Sequence, residues 1–170
     1  MSTPKPLLTR EEMEPFYQAE LHLDAAIEEG DDYMIFTKVP TMEDPFIRGQ
    51  KVAPPAFPHH YAGENFISLT GESAAVLLHH KGIIDDAWRG HGVRIRDAVF
   101  RETVHIGETL YVKVTLLKNR KLWGRLFAVF AFEMWKLDGD TRKICYKSEQ
   151  EAVFFPAKDL ATAEAIDALP

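Results

Sequence analysis

Two side chains in the middle of the chain could perform acid–base chemistry: His60 and Glu72. Histidine can take up and return a proton at neutral pH, so His60 is either a catalytic base or an ordinary loop histidine. Glu72 falls in a stretch, about residues 66–80, that is apolar nearly all round and therefore predicts a buried helix. Because an unpaired carboxylate is costly to bury, Glu72 needs a cavity, an interface or a partner. An ion pair with Arg94 or Arg96 is the structural alternative to catalysis.

Other chemistries find little support in the sequence. It contains neither a glycine-rich phosphate loop nor the glycine-x-serine-x-glycine elbow of serine hydrolases. The histidines show no zinc-site spacing, and neighbouring histidines on a helix point to different faces, so we expect no metal. Cys145 is the only cysteine and has no histidine close in sequence, so we do not expect it to be a nucleophile. We expect no cofactor.

Length and composition predict one domain. The 170 residues have an ordinary globular composition and are enough to bury a core. A net charge of −6 argues against a nucleic-acid-binding protein. The first residues lack a secretory signal, and the longest apolar stretch, residues 126–135, is too short to span a bilayer. Together with the single cysteine, these features predict a cytoplasmic protein without membrane contact.

Local patterns surround the predicted helix with strands. Thr9 and Glu12 form a capping-box pattern, which predicts a short helix over about residues 10–20 within a helical extension of about residues 1–30. β-forming and alternating residues predict strands at 33–39, 92–104, 110–117, 126–135 and 143–155, with turns at 106–108, 118–121 and 138–139. The proline-rich stretch 40–58 predicts an irregular loop, and the tail 157–170 could form a terminal helix.

These elements predict one architecture. A helix that is apolar nearly all round must be wrapped by other elements, and consecutive strands with tight connections must be largely antiparallel. An α+β fold satisfies both requirements if an antiparallel sheet of five or six strands curls around one long central helix. The strand at 126–135 is apolar on both faces, which indicates that the outer face of the sheet packs on another subunit.

A first motif connects this layout with a known superfamily. The sequence of residues 100–110 is FRETVHIGETL. It is similar to the strand–turn–strand signature of hydroxyacyl thioester dehydratases, with Thr103 in place of the usual proline. Together with the layout, this segment resembles the hotdog superfamily, and the resemblance implies a single hotdog domain over residues 1–170. Thioesterases of the same fold carry similar turns, so this motif implies the fold and leaves the reaction open.

A second motif concerns the site. Residues 57–65 are FPHHYAGEN and residues 69–73 are LTGES. They resemble the dehydratase pattern in which a histidine, an aromatic residue and a glycine precede a central helix that carries an acid. The resemblance places His60 at the catalytic histidine and Glu72 at the helix acid. The sequence differs from the family pattern in two ways: the interval from His60 to Glu72 is two residues shorter, and the proline–glycine pair before the helix is missing. In the family this pair comes from two subunits, which implies a homodimer or a higher homo-oligomer.

The resemblance leaves three functions open. The first is a 3-hydroxyacyl thioester dehydratase that acts on coenzyme A or carrier-protein substrates with His60 as base and Glu72 as acid. Amides at the beginning of the helix, near residues 65–68, would then receive the charge on the thioester oxygen. The second is an acyl thioesterase, favoured by the shorter interval, in which Glu72 or Glu64 activates water with Asn65; otherwise Asn65 only caps the helix. The third is a non-catalytic acyl-binding module.

A basic cluster stands out in this acidic chain. Its members are Lys113, Lys118, Arg120, Lys121 and Arg125. They form either a solvated strand and turn or a landing site for the phosphates of coenzyme A or the acidic face of a carrier protein. In the second case Lys118, Arg120 and Lys121 would make the contacts. The expected partners are therefore an acyl thioester and a second copy of the chain, without nucleic acid.

Overall fold

The structure is a computed structural model that describes residues 5–17 and 19–158. Its regular elements, in chain order, are β1 (Leu8–Thr9), α1 (Arg10–Met13), β2 (Ala25–Glu29), β3 (Tyr33–Lys38), α2 (Gly63–His80), β4 (Trp88–Phe100), β5 (Leu110–Leu122), β6 (Arg125–Asp138) and β7 (Thr141–Pro156). The strands form one antiparallel sheet in the order β1-β2-β3-β5-β6-β7-β4. This confirms an antiparallel sheet around one long helix, with seven strands instead of five or six.

The additional strands come from the predicted helical extension. The capping box of Thr9 and Glu12 is confirmed, but α1 ends at Met13 and a 3-10 turn with Pro15 near its start follows. Residues 25–29 then pair with β3 as β2, although their alanines and glutamates favour a helix. Pairing with a neighbouring strand overrides this weak local preference. The predicted terminal helix falls mainly on residues 159–170, outside the described residues.

The turn predicted at 106–108 is confirmed, since the Glu108 amide donates to the carbonyl oxygen of His105 at 3.2 Å. It does not join neighbouring strands, however, because β4 pairs with β7 while β5 pairs with β3 and β6. The reversal predicted at 118–121 lies instead at Trp123 and Gly124, whose φ angles of 50° and 73° suit a two-residue hairpin turn. Residues 118–121 continue β5. The hairpin predicted at 138–139 is confirmed between β6 and β7.

The core lies between α2 and the concave face of the sheet. Apolar side chains of α2 are buried against those of the central strands: Phe66, Leu69, Val76, Leu77 and Leu78 against Met34, Phe36, Val112, Val114, Phe130 and Met134. The helix is therefore wrapped as predicted, except along one stripe. The exposed stripe consists of Glu64, Ile67, Ser68 and Gly71, which follow the spacing of one helix face.

This stripe lies beside β4, the last strand of the sheet. Among residues 5–17 and 19–158, β4 pairs only with β7, and its residues are exposed from Gly90 to Phe100. We call the space between the exposed stripe of α2 and β4 the seam. The seam is where the fold leaves both a helix face and a strand edge without a covering element in the described part of the chain.

Candidate functional site

Three hollows lie in line along the seam. The N-terminal hollow has a volume of about 240 Å³ and lies between Gly63 at the start of α2 and Phe100 at the end of β4. The central groove has about 370 Å³ and is lined in part by Gly71 of α2 and Gly92 of β4. The aromatic cavity has about 430 Å³ and extends from the same two glycines to His79. β4 therefore runs antiparallel to α2, and the seam follows the whole helix.

The aromatic cavity lies between the second half of α2 and the concave face of the sheet. Its aromatic walls are Phe16, Tyr17, Trp88, Phe130, Phe132 and Phe154. The volume falls in the range of small-molecule sites. The helix rise from Thr70 to His79 gives the cavity a length of roughly 13 Å. An apolar space of this length suits a hydrocarbon chain.

Polar groups are placed at both ends of this cavity. Near the central groove, the Thr70 hydroxyl lies 3.0 Å from Oε1 of Gln150. At the far end, the His79 ring stacks on Phe16 with ring centroids 5.1 Å apart. Burial lowers the pKa of His79 below its usual value, although the neighbouring Asp86 acts in the opposite direction. Burial therefore favours the uncharged form of the imidazole.

His60 borders the N-terminal hollow. Its amide N–H donates to Gln50 Oε1 at 3.1 Å, and Gln50 Nε2 donates to its carbonyl oxygen at 2.8 Å. A bridge to His105 holds the same residue from the other side. The ring packs edge-on against Phe57, and its Nδ1 lies 3.3 Å from the carbonyl oxygen of Pro58. The backbone of His60 is thus fixed, while its imidazole is only partly buried.

Glu72 is fully buried, with 0% of the residue exposed. Its Oε2 accepts hydrogen bonds from the amides of His22 and Leu23 at 2.8 and 3.1 Å. Its Oε1 accepts from Nδ1 of His22 at 2.8 Å and from the Ser68 hydroxyl at 3.3 Å. The carboxylate therefore anchors the segment before β2 to the central helix.

This arrangement answers the question of what Glu72 pairs with. The partner is His22, which carried no recognisable signal in the sequence. Arg96 instead forms an ion pair with Glu151. None of the hydrogen bonds of Glu72 involves His60, and Glu72 borders none of the three hollows of the seam. Within one protomer, the two expected catalytic side chains are therefore not brought together.

The other two candidate residues differ in exposure. Glu64 is exposed in the first turn of α2 and has no hydrogen-bond or ion-pair partner among the described residues. Asn65 is buried, and its Nδ2 donates to the carbonyl oxygen of Pro45 at 2.7 Å. Ala62, not Asn65, occupies the cap position of the helix. Asn65 thus ties the proline-rich loop to α2, and Glu64 is the acid that solvent can reach.

The strand register separates the basic residues into two groups. Arg120 and Lys118 lie opposite Phe127 and Val129, on the outer face of the hairpin. Lys121 lies opposite the buried Leu126, and its Nζ is 5.4 Å from the centre of the Trp88 ring. Lys121 is therefore near the Trp88 end of the seam, opposite to the end where His60 lies, whereas Lys118 and Arg120 lie on the outer face of the sheet.

The structure also bears on the Cys145 thiol, on metal binding and on membrane-spanning helices. Burial raises the pKa of Cys145 to about 11, which disfavours the thiolate that a nucleophile needs. Over residues 5–17 and 19–158, no group of three histidine, cysteine or acidic side chains is placed to hold a metal ion. Among those same residues, no helix has the length and apolar character needed to cross a membrane.

Comparison with solved structures identifies the architecture. A dehydratase heterocomplex, ApeI:P, from Xenorhabdus doucetiae matches with a TM-score of 0.67 and 14% identity, over 89% of this chain and 95% of that chain. A hot-dog-like protein from Thermanaerovibrio acidaminovorans matches with a TM-score of 0.61 and 17% identity, over 81% of this chain and 91% of that one. The chain has the hotdog fold.

A third hotdog neighbour is a thioesterase superfamily member from Thermus thermophilus. It matches with a TM-score of 0.56 and 15% identity, over 82% of this chain and 91% of that chain. No family model matches the sequence, and no curated protein matches it closely enough to count as a relative. At these low identities the neighbours establish the fold alone. They confirm the prediction of a hotdog fold, in which an antiparallel sheet curls around one long helix.

Proposed function

We propose that the chain binds an acyl thioester along the seam, with the acyl group in the aromatic cavity and the thioester at the beginning of α2. The observation that carries this proposal is the aromatic cavity, which shares lining residues with the central groove. The hollow bordered by His60 lies beyond the groove, at the beginning of the same helix. The first turn of α2 orients the ligand, because the amide N–H groups of Gly63 and Glu64 have no acceptor within the helix and suit the thioester oxygen. The Asn65 amide already donates to the carbonyl oxygen of Ala62 at 3.1 Å.

The reaction that we propose is the dehydration of a 3-hydroxyacyl thioester to an enoyl thioester and water. His60 removes a proton from the carbon next to the thioester carbonyl, and the double bond forms as the bond to the 3-hydroxyl breaks. Glu64 supplies the proton with which the hydroxyl leaves as water. Amides in the first turn of α2, near Gly63, stabilise the charge on the thioester oxygen. The dehydratase neighbour from Xenorhabdus doucetiae supports this choice.

Glu64 replaces Glu72 as the proposed acid for a physical reason. The Glu72 carboxylate is fully buried and accepts hydrogen bonds from four donors of its own chain. Glu64 is exposed at the end of the seam where the thioester is proposed to bind. In this proposal Glu72 is a positioning residue, because it holds the segment whose Phe16 and Tyr17 form one wall of the cavity.

The proposed assembly is a homodimer formed through β4. An exposed edge strand offers unpaired backbone groups to a second strand. Val93, Ile95 and Phe100 of β4 and Ile67 of α2 are large apolar side chains that remain exposed in one protomer. Antiparallel pairing of two β4 strands would cover them and would bring the partner's loops to the seam, where the site needs shielding from water.

The proposed ligand orientation implies a different phosphate contact from the lysines and arginine expected from the sequence. Lys121 lies at the Trp88 end of the seam, whereas the thioester and its carrier lie at the His60 end. Arg101, which borders the N-terminal hollow and is exposed, is therefore the proposed contact for a coenzyme A or carrier-protein phosphate. Lys118, Arg120 and Lys121 would contribute only if the ligand bound in the opposite direction.

A panel assay tests the proposed reaction. The protein is incubated with 3-hydroxyacyl and saturated acyl thioesters while enoyl absorbance and free thiol are followed in parallel. Enoyl formation without thiol release is expected, and it should be lost in His60→Ala and Glu64→Gln. Thiol release from saturated substrates would reject dehydration as the main activity, and binding without any turnover would indicate an acyl-binding module.

Thioester hydrolysis is the second candidate. The thioesterase superfamily neighbour from Thermus thermophilus supports it. So does the carboxylate of Glu64, which has no partner in the part of the chain that the structure describes and could activate a water molecule. In that case Glu64→Gln should lose thiol release, whereas His60→Ala should retain most of it. Dehydration and hydrolysis can thus be distinguished in two ways: by the product, which is an enoyl thioester or a free thiol, and by the effect of His60→Ala.

A further inference from the structure

Two glycines face each other across the seam where the central groove meets the aromatic cavity. Gly71 of α2 and Gly92 of β4 line both spaces, together with Tyr17, Thr70 and Gln150. A chain that runs from the N-terminal hollow into the aromatic cavity must pass between them. We call this point the glycine passage.

Neither glycine is required by the backbone. Both lie within regular elements and outside the left-handed region that favours glycine. Gly92 adjoins an irregularity in the pairing of β4 with β7, between Gly92 and Arg94, but its φ is not one that requires glycine. Glycine weakens such positions because it loses more conformational freedom on folding than alanine does. A conformational requirement therefore does not account for either residue.

Packing does not require them either. A Cβ at Gly92 would meet nothing within 4 Å, and a Cβ at Gly71 would meet only the Tyr17 hydroxyl at 3.9 Å. Gly90, on the same face of β4, shows the contrast, because a Cβ there would lie 2.5 Å from the Phe154 ring. Gly90 is thus explained by its neighbour within the protein, whereas the space beside Gly71 and Gly92 is open.

We propose that Gly71 and Gly92 keep this space open for the acyl chain of the substrate and so determine which chain lengths the protein accepts. This inference rests on the proposed function. The helix rise from Gly63 to Gly71 places the passage roughly 12 Å from the thioester end. Carbon–carbon bonds of about 1.5 Å at tetrahedral angles advance about 1.25 Å each, so the passage is reached after roughly ten carbons. Long acyl chains cross it and short ones do not.

Titration calorimetry with two probes tests the proposal. The probes are the butyryl and hexadecanoyl thioether analogues of coenzyme A, which cannot be hydrolysed at the sulfur. Gly71→Ala and Gly92→Val should each weaken hexadecanoyl binding tenfold or more and leave butyryl binding unchanged. Gly49→Ala is the matched control, because a Cβ there also meets nothing within 4 Å and the residue lies away from the seam. It should change neither affinity.

The controls separate the ways in which the proposal can fail. Gly71→Ala and Gly92→Val should keep the oligomeric state of the unmodified protein. Their melting temperatures should equal or exceed its own, because each change removes a glycine from the interior of a helix or strand without a clash. Gly90→Ala should lower the melting temperature. Equal weakening of both probes, no weakening of either, or loss of the oligomer in Gly92→Val would overturn the role of the passage. If the unmodified protein binds neither probe, the proposed function fails together with this inference.

Discussion

Replacement of Glu72 distinguishes an anchoring role from a catalytic one. In Glu72→Ala, the amides of His22 and Leu23 lose the carboxylate oxygen that lies 2.8 and 3.1 Å away. Each buried donor left without a partner costs about 1–3 kcal/mol, and two amides lose their acceptor together in this variant. We therefore expect the free energy of unfolding to fall by about 3–5 kcal/mol, a large part of the total for a domain of this size.

Glu72→Gln is the informative companion variant. Its side-chain oxygen can still accept from the two amides, and its NH₂ group can donate to the other tautomer of His22. We expect it to lose only about 1–2 kcal/mol, since the charge assistance is gone but the hydrogen bonds remain. Its turnover of a thioester substrate should stay within a few-fold of the unmodified protein.

Urea denaturation at equilibrium and the turnover assay are measured on the same preparations. Glu64→Ala is the matched control, because this exposed carboxylate has no partner in the described chain; its stability should change by less than about 0.5 kcal/mol. If Glu72→Gln keeps full stability and loses all turnover, Glu72 is a catalytic acid and the anchoring argument is refuted.

Three further perturbations test other parts of the fold. Lys38 and Asp44 form a buried ion pair at 2.6 Å, so Lys38→Met should cost about 3–5 kcal/mol in urea denaturation. The added change Asp44→Asn, which keeps an acceptor for the Thr41 amide, should recover part of it; a loss below about 1 kcal/mol in Lys38→Met would contradict this. Burial lowers the pKa of His79, so its contribution to stability is present above the usual histidine pKa and is lost as the pH falls through the folded-state value. His79→Phe should therefore reduce the fall in melting temperature between about pH 7 and pH 5, and an unchanged pH profile would count against the argument. Trp123 is 85% exposed and has a φ of 50°; Trp123→Asn should stabilise the hairpin by about 0.5–1 kcal/mol in thermal denaturation, and a destabilised variant would show that the indole is needed.

The sequence predicts the fold where hydrophobic patterns are strong. α2 was identified because its apolar residues cover nearly all faces, and the strands around it because they alternate or are apolar throughout. β2 was missed since its composition favours a helix and only pairing with β3 makes it a strand. The end of β5 was missed because residues 118–121 are polar, and a hairpin that extends beyond the core needs no apolar residues to continue.

The site was predictable only in part. The buried position of Glu72 indicated that a partner must exist, but His22 lies 50 residues away in a loop without a recognisable pattern. Such a contact depends on tertiary structure and has no local signal. Gly71 and Gly92 did have one, because a glycine inside a helical or strand pattern often marks a close approach to another group. That signal gains meaning only when the space beside each glycine is known.

A crystal structure with the hexadecanoyl thioether analogue of coenzyme A would show whether the acyl chain binds in the seam. We expect the sulfur to lie beside Gly63 and His60, the hydrocarbon chain to pass between Gly71 and Gly92 into the aromatic cavity, and the pantetheine arm to lie near Arg101. A chain that lies outside the seam, or a sulfur that lies at the Trp88 end with phosphates on Lys121, would contradict the proposed function.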